Sequence, residues 1–554
     1  MTCYWAEAVV VVIVLLLWAP RLSGPIDLRW DAGVYYVLGK SLAMGHGYRI
    51  LSEPGSPEAL QYPPLLPTVV ALYQRALGSM DPAIVAPWLR VSYATLFLAY
   101  ALAVLALGRR YLRTGFAVTA VVLSLLQVNA IFLSDLLFTE LPFALVSVVF
   151  VLVAADCRVA ASRQWIRETV SFVLAAVGFF LRTAGIALLV AWVIEALGRR
   201  HWRLALTRGV LAVLPVLAWE THIARVREGY EYAHPAYAYQ RAAYQPYNVS
   251  YAQNVGLIDS TQRALRMVSA RVLAVRFTTN IGSMIKGLGE TISTPEYYWR
   301  HFLADVGRQV IPVGFVLVPI ICLSVLVIAG MAMLARRRAC LIVFIVVISV
   351  VLICTTPWPD QFQRYLMPLT AFLAIAALLA VSQLCAALRT SRRLHSLAII
   401  AAQVALVGLV LLSLILEMCT ARELFYQRWS NGVNSAGAHY FYYGPRWRAW
   451  EGAVAWIAAN TPPDAIVATP ECYLCYLRTN RRAIFPPMEA DPTRARQLLQ
   501  AVPVSYVMIA KTESSSRRYT LPAVEGDAVG WPLVYSADGV QIYERGSSRN
   551  DQRK

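Results

Sequence analysis

The chain has 554 residues, of which 58% are hydrophobic and only 15% charged, with a mean hydropathy of +0.53. Soluble globular domains carry roughly 25% charged residues, so this composition excludes a soluble protein and indicates a multi-pass membrane protein. The net charge of +18 does not mark a nucleic-acid-binding protein, because most of the arginine lies in short clusters between apolar runs, as membrane topology requires.

In chain order, Trp5-Ala-Glu-Ala8 leads into a Val/Ile/Leu run that reads as a retained first helix over about residues 5–20: no basic segment precedes it and no small-residue cleavage site follows. An outer loop, 23–85, comes next, and within it 65–78 is amphipathic, suited to lying along the membrane. Further apolar runs sit at 86–107, 115–133, 137–155, 168–182, 183–198, 204–222, 310–335, 339–356, 365–387 and 396–418. Counting the first, the sequence predicts eleven spans. The runs 168–182 and 183–198 meet at Arg182-Thr183 with almost no loop, so they read as two helices or as one bent one.

Positive charge arbitrates. With a cytoplasmic N-terminus, the inner connections carry Arg109, Arg110, Arg113; Arg158, Arg163, Arg167; Arg199, Arg200, Arg203, Arg208; Arg336, Arg337, Arg338; and Arg389, Arg392, Arg393, whereas the short outer connections hold only Arg182 and Arg364. Merging 168–198 would spoil this pattern. The outer face then receives the 23–85 loop, the tyrosine-rich loop 223–309, which reads as a cleft cover or as a tether, and everything after about 419. Asn248-Val-Ser250 fits a glycosylation sequon.

From about 445 the pattern becomes that of a small α/β domain outside the membrane. A helix over 450–460 ends at Thr461-Pro-Pro-Asp464, strands are expected at Ile466–Thr469 and Val504–Ala510, a helix near 493–501, and a terminal hairpin at the Asp538-Gly539 turn. The expected division is a membrane module over 1–420, an outer α/β domain over 421–545, and a disordered tail, 546–554. Cys472 and Cys475 form the only Cys-x-x-Cys, read as ordinary structural residues or as a disulfide.

Four charged features gather at the predicted outer face: Asp27 with Asp31; Ser134-Asp135 through Glu140; Arg182-Thr183; and Asp360 through Arg364-Tyr365. Charge at the ends of apolar spans is costly unless it faces water or a cavity. A carboxylate can take a proton from an attacking hydroxyl, and an arginine fork can hold a phosphate leaving group. Each feature also has a plainer reading. Asp31 is a helix N-cap or a catalytic base; Asp27 is capping or solvated; Asp135 caps the fourth span, with Glu140 facing another sector; Arg182 and Arg364 snorkel to headgroups.

Several motifs resemble the GT-C fold glycosyltransferases, nearest the group of protein O-mannosyltransferases and lipid A aminoarabinose transferases. They are Asp31-x-x-x-Tyr35, Tyr62-Pro-Pro-Leu-Leu66, Thr139-Glu140-Leu-Pro-Phe143, Leu181-Arg182-Thr-Ala-Gly-Ile186 and Arg364-Tyr365-Leu-Met-Pro-Leu369. The resemblance implies a plasma-membrane enzyme that moves a sugar from a polyprenyl-phosphate-linked donor to an extracytoplasmic protein, lipid or glycan, with no nucleic acid involved. It makes Asp31 the catalytic carboxylate and Arg182, Arg364, Tyr62 and Tyr365 phosphate or substrate contacts, supported by the acids Asp27, Asp135 and Glu140. Asp31 and the two arginines are expected to serve one pocket. The chain departs from the lipid A enzymes in having Tyr62 where a lysine tends to stand, and from the mannosyltransferases in having Ala32 after Asp31. A divalent metal is compatible with the resemblance, although no ligand cluster demands one. The alternatives are a transporter or lipid flippase, and a non-catalytic envelope protein.

Overall fold

The computed structural model describes residues 4–155, 164–258, 267–307, 313–390, 396–510, 512 and 514–546. The helices, in chain order, are α1 (Trp5–Trp18), α2 (Asp31–Ala43), α3 (Leu65–Ala76), α4 (Pro82–Gly108), α5 (Thr114–Leu126), α6 (Val128–Leu133), α7 (Glu140–Ala154), α8 (Gln164–Leu181), α9 (Ile186–Gly198), α10 (Trp202–Glu228), α11 (Tyr230–Ala233), α12 (Tyr251–Val255), α13 (Ala270–Thr291), α14 (Glu296–Gly307), α15 (Val313–Arg336), α16 (Cys340–Cys354), α17 (Phe362–Leu366), α18 (Thr370–Thr390), α19 (Ser396–Ser430), α20 (Pro445–Asn460), α21 (Cys472–Thr479), α22 (Pro492–Gln500) and α23 (Leu521–Glu525). Each of the eleven apolar runs overlaps at least one helix among the described residues, and the run 115–133 is divided at Gln127 between α5 and α6. Among the described residues six helices are long and apolar enough to cross a membrane, and shorter apolar helices accompany them. Parts of the inner arginine clusters, Arg158, Arg163, Arg392 and Arg393, lie outside the described residues, as do 547–554 of the predicted tail.

The chain divides into two compact units. The first comprises Met1–Leu22, Val91–Leu217 and Leu273–Tyr426; the second comprises Ser23–Arg90, Ala218–Val272 and Gln427–Lys554, so the 23–85 loop and much of the tyrosine-rich loop group with the C-terminal region.

In the first unit, α18 is the central helix: every side chain from Thr370 to Val381 is buried. Its alanines let α15 approach so closely that a Cβ on Gly330 would fall 1.8 Å from the Ala376 carbonyl oxygen. Helices packed in lipid gain from such small-residue contacts, because dispersion rather than water exclusion holds them together. By contrast Leu206, Val210, Val213, Leu214 and Leu217 of α10 are exposed, which suits a lipid-facing surface. The two segments meeting at Arg182 are separate helices. Arg182 itself is extended (φ −156°, ψ 132°), a short 3-10 turn over Thr183–Gly185 follows, and α9 packs back on α8. Only glycine fits that turn, since a Cβ on Gly185 would sit 2.4 Å from the Gly178 carbonyl.

The second unit is built on a five-stranded sheet: β1 (Ile466–Ala468), β2 (Arg482–Ile484), β3 (Tyr506–Ile509), β4 (Leu533–Ala537) and β5 (Val540–Glu544), in the order β2-β1-β3-β5-β4. β1 is parallel to β2 and β3, while β5 runs antiparallel to β3 and β4. The expected hairpin is present, with Asp538 at φ 49° and Gly539 at φ 77°, the left-handed pair that a two-residue turn between twisted strands requires. α21 and β2 were not legible in the sequence. Cys472 and Cys475 lie on α21 as buried free thiols, so the disulfide reading is set aside. The β2 edge is tied to the 23–85 loop by the Ala483 amide, which donates to the Ser52 carbonyl at 2.8 Å.

Candidate functional site

Asp31 is the first residue of α2, and the N-cap position belongs to Trp30. Trp30 holds φ 55° and ψ −132°, a conformation that a bulky L residue avoids, so its backbone is strained. The surroundings impose it. The Trp30 ring meets Trp447 edge-on with centroids 5.7 Å apart, and the Arg29 guanidinium lies 4.6 Å from the Trp30 ring and 4.9 Å from that of Trp447. Arg29 is fixed in turn by Asp27, whose carboxylate takes the Arg29 amide at 3.0 Å and the guanidinium at 2.6 and 2.8 Å, and by the carbonyls of Phe441 and Tyr442. Asp27 is therefore neither a cap nor solvated: it is buried in an ion pair that shapes the turn before Asp31.

The Asp31 carboxylate accepts from the Tyr247 hydroxyl at 2.8 Å. Burial, and then the charge of Asp31, push the Tyr247 hydroxyl well above its ordinary range, so it stays protonated as the donor. The Tyr247 ring lies between Tyr62, 5.8 Å away, and Tyr473, 4.9 Å away, and Tyr62 meets Tyr35 at a tilt of 45° with centroids 4.8 Å apart. Tyr62 thus belongs to the aromatic surface beside Asp31. Aromatic faces of this kind suit the C–H face of a sugar.

Behind this surface sits a residue that sequence reasoning missed. Glu53 is fully buried and accepts from Tyr237 Oη at 3.0 Å, Gln240 Nε2 at 3.2 Å and Asn248 Nδ2 at 2.8 Å, with the Tyr473 hydroxyl at 3.5 Å. Standing before Pro54-Gly55, it resembles an ordinary turn acid, and only its partners, nearly two hundred or more residues away, reveal the burial. The same contacts correct the sequon reading: Asn248 is 1% exposed and its amide is engaged, so it offers no acceptor for a glycan.

In the first unit, Glu140, Arg182, Arg364 and Tyr365 come together. Glu140 begins α7, is fully buried, and pairs through Oε1 with Arg182 Nη1 at 2.9 Å and Arg364 Nε at 2.6 Å. The two guanidiniums keep 18% and 23% of their side-chain surface exposed. Arg182 lies 5.3 Å from the Tyr365 ring and Arg364 lies 4.5 Å from the Phe138 ring, while Tyr365 Oη donates to Gln361 at 3.2 Å. Glu140 therefore serves both arginines, which are held by protein rather than simply reaching for headgroups. Two arginine forks brought together and partly open are what a phosphate needs, since each offers planar, paired donors. Asp135 is buried between α6 and α7, and the α7 N-cap falls to Thr139, so Asp135 is not that cap. Among the described residues no group of three or more His, Cys, Asp or Glu side chains is arranged to hold a metal ion.

No protein-family model and no curated protein matches the sequence. Solved structures do match in fold. ArnT from Cupriavidus metallidurans bound to undecaprenyl phosphate matches with a TM-score of 0.53 at 12% identity, covering 99% of each chain. The Archaeoglobus fulgidus oligosaccharyltransferase in its apo form gives 0.55 at 13%, over 99% of this chain and 75% of that one. The same organism's oligosaccharyltransferase AglB, in complex with an inhibitory peptide and a dolichol-phosphate, gives 0.54 at 12%, over 98% and 74%. Across nearly its whole length, the chain has the fold of these GT-C membrane glycosyltransferases.

Proposed function

We propose that the protein is a membrane glycosyltransferase that takes a sugar from a polyprenyl-phosphate-linked donor and passes it to an acceptor on the extracytoplasmic side of the plasma membrane. The observation that carries this reading is Asp31, presented by a strained backbone at Trp30 and gripped by the Tyr247 hydroxyl. Strain of that kind persists where the surroundings over-determine it, most often at working sites. The fold likeness to a structure holding undecaprenyl phosphate and to one holding a dolichol-phosphate supports the choice of donor.

In the reaction, an acceptor hydroxyl attacks the anomeric carbon while the bond from that carbon to the phosphate oxygen breaks, through an oxocarbenium-like state. Asp31 takes the hydroxyl proton and favours the positive charge growing on the sugar. The polyprenyl phosphate departs with the bonding electron pair, and Arg182 and Arg364 match its charge, with Tyr365 packed against the first. Glu140 holds the two guanidiniums side by side, and Asp27 supports Asp31 through Arg29. The acceptor is a protein, a lipid or a glycan. The test compares membranes with and without the protein: release of free polyprenyl phosphate from a sugar-loaded carrier, with a matching mass gain on an acceptor, supports the reading. A carrier pool that stays loaded in both contradicts it.

A further inference from the structure

The proposed reaction needs Asp31 aimed, and α2 alone does not aim it. A carboxylate at the first position of a helix turns about two torsions, so a donor on one oxygen is what fixes its plane and where the second oxygen points. Tyr247 supplies that donor at 2.8 Å. Tyr247 itself sits in a stretch of irregular backbone between α11 and α12, and a loop side chain keeps its place only if something rigid holds the loop.

The holding group is Glu53. An ionised carboxylate offers about four lone-pair sites and no donor. Four donors are arranged around this one, three from the loop and one from α21: Tyr237, Gln240 and Asn248, and Tyr473. Two of the four connect directly to Tyr247: Asn248 follows it in the chain, and the Tyr473 ring lies 4.9 Å from its ring. The effect of Glu53 on the Asp31 carboxylate runs through the tyrosine.

We infer that Tyr247 is a positioning residue for Asp31, and that Glu53 acts through Tyr247 by pinning the tyrosine-rich loop and α21 to a single buried acceptor. The inference rests on the proposed glycosyl transfer. It gives the loop a definite task, setting the geometry of the base, in place of the tether or cover that the sequence left open.

The experiment uses the full-length enzyme in detergent or nanodiscs, with a sugar-loaded polyprenyl phosphate as donor, and compares Asp31→Asn, Tyr247→Phe, Glu53→Gln and the Tyr247→Phe/Glu53→Gln double variant. Tyr247→Phe keeps the ring between Tyr62 and Tyr473 and removes only the hydroxyl. It should lower kcat about 10- to 100-fold, the scale of a small misplacement, while KM for the lipid donor stays within about twofold. Glu53→Gln turns an amide N–H₂ toward donors and should lower kcat in the same direction, and the double variant should fall no more than about twofold below Tyr247→Phe alone. If Glu53→Gln does not yield folded protein, Tyr473→Phe replaces it, removing one hydroxyl from Glu53 while keeping the ring. Unchanged kcat in Tyr247→Phe, with Asp31→Asn inactive, overturns the role of Tyr247. Effects of Tyr247→Phe and Glu53→Gln that multiply overturn the coupling. An active Asp31→Asn overturns instead the reaction on which both rest.

Discussion

Arg182 and Arg364, 182 residues apart in the chain, reach the same oxygen of Glu140, at 2.9 and 2.6 Å. Two guanidiniums repel each other unless an anion stands between them, so the buried carboxylate is what makes their pairing stable. Removing it leaves adjacent like charges in a largely buried setting. Glu140→Ala should destabilise the protein by about 3 kcal/mol, the cost of breaking a buried pair from one side. A falling thermal midpoint in detergent would register this, and an unchanged midpoint would mean that the arginines hold their places without Glu140.

On the proposed reaction arginine serves both positions better than lysine, because a planar fork can hold Glu140 and a phosphate at once, whereas an ammonium is a single point charge. Arg182→Lys and Arg364→Lys should each raise KM for the polyprenyl-phosphate donor about tenfold, with the protein still folded. Steady-state kinetics with donor as the varied substrate provide the measurement.

Gly39 lies on α2, two turns beyond Asp31. A Cβ there would fall 2.6 Å from Val70 Cγ1 and 3.0 Å from the Pro67 carbonyl oxygen, both on α3. Gly39→Ala should force the two helices apart, costing about 1 to 3 kcal/mol as overpacking does, and lower kcat by tilting α2. Unfolding and transfer assays on the same preparation would separate the two effects.

Burial holds the Glu53 carboxyl above its ordinary value of 4.5, against hydrogen bonds from Gln240, Asn248 and Tyr237 that act the other way. The folded state therefore keeps its proton to higher pH than the unfolded chain does. The sign follows: this group's contribution to stability is fully present below the unfolded value and is lost as pH rises through the folded one. Glu53→Gln cannot titrate, so its midpoint should fall less than that of the wild type as pH rises above the ordinary value of 4.5. Parallel curves for the two proteins would contradict the buried titration.

Much of the fold was legible because hydrophobic runs in a membrane protein report one thing, the length of a helix that lipid can tolerate. The eleven runs overlap helices for that reason, although among the described residues only six helices are long and apolar enough to cross a membrane and 115–133 is broken at Gln127; Arg182-Thr183-Ala-Gly185 marked a real break because charge and glycine both interrupt such a run. Asp538-Gly539 was legible because left-handed backbone restricts residue choice so strongly. Asp31 and the arginines stood out as charges at the ends of apolar segments. Tyr247, Glu53 and the Asp27–Arg29 pair did not reveal their tasks, because a tyrosine among tyrosines, an acid in a Pro-Gly turn and two opposite charges near each other look ordinary until distant segments close around them. α21 and β2 were hidden for a related reason: each is short, and its burial comes from packing on β1 and α2, not from its own pattern.

The most direct test of the account is the turnover of Asp31→Asn with a sugar-loaded polyprenyl phosphate and its acceptor. The substitution keeps the size of the side chain and its capacity to accept from Tyr247, and removes only its ability to take a proton and carry charge. The account predicts a loss of about a hundredfold or more in kcat, with donor binding retained. Turnover equal to that of the wild type would contradict it.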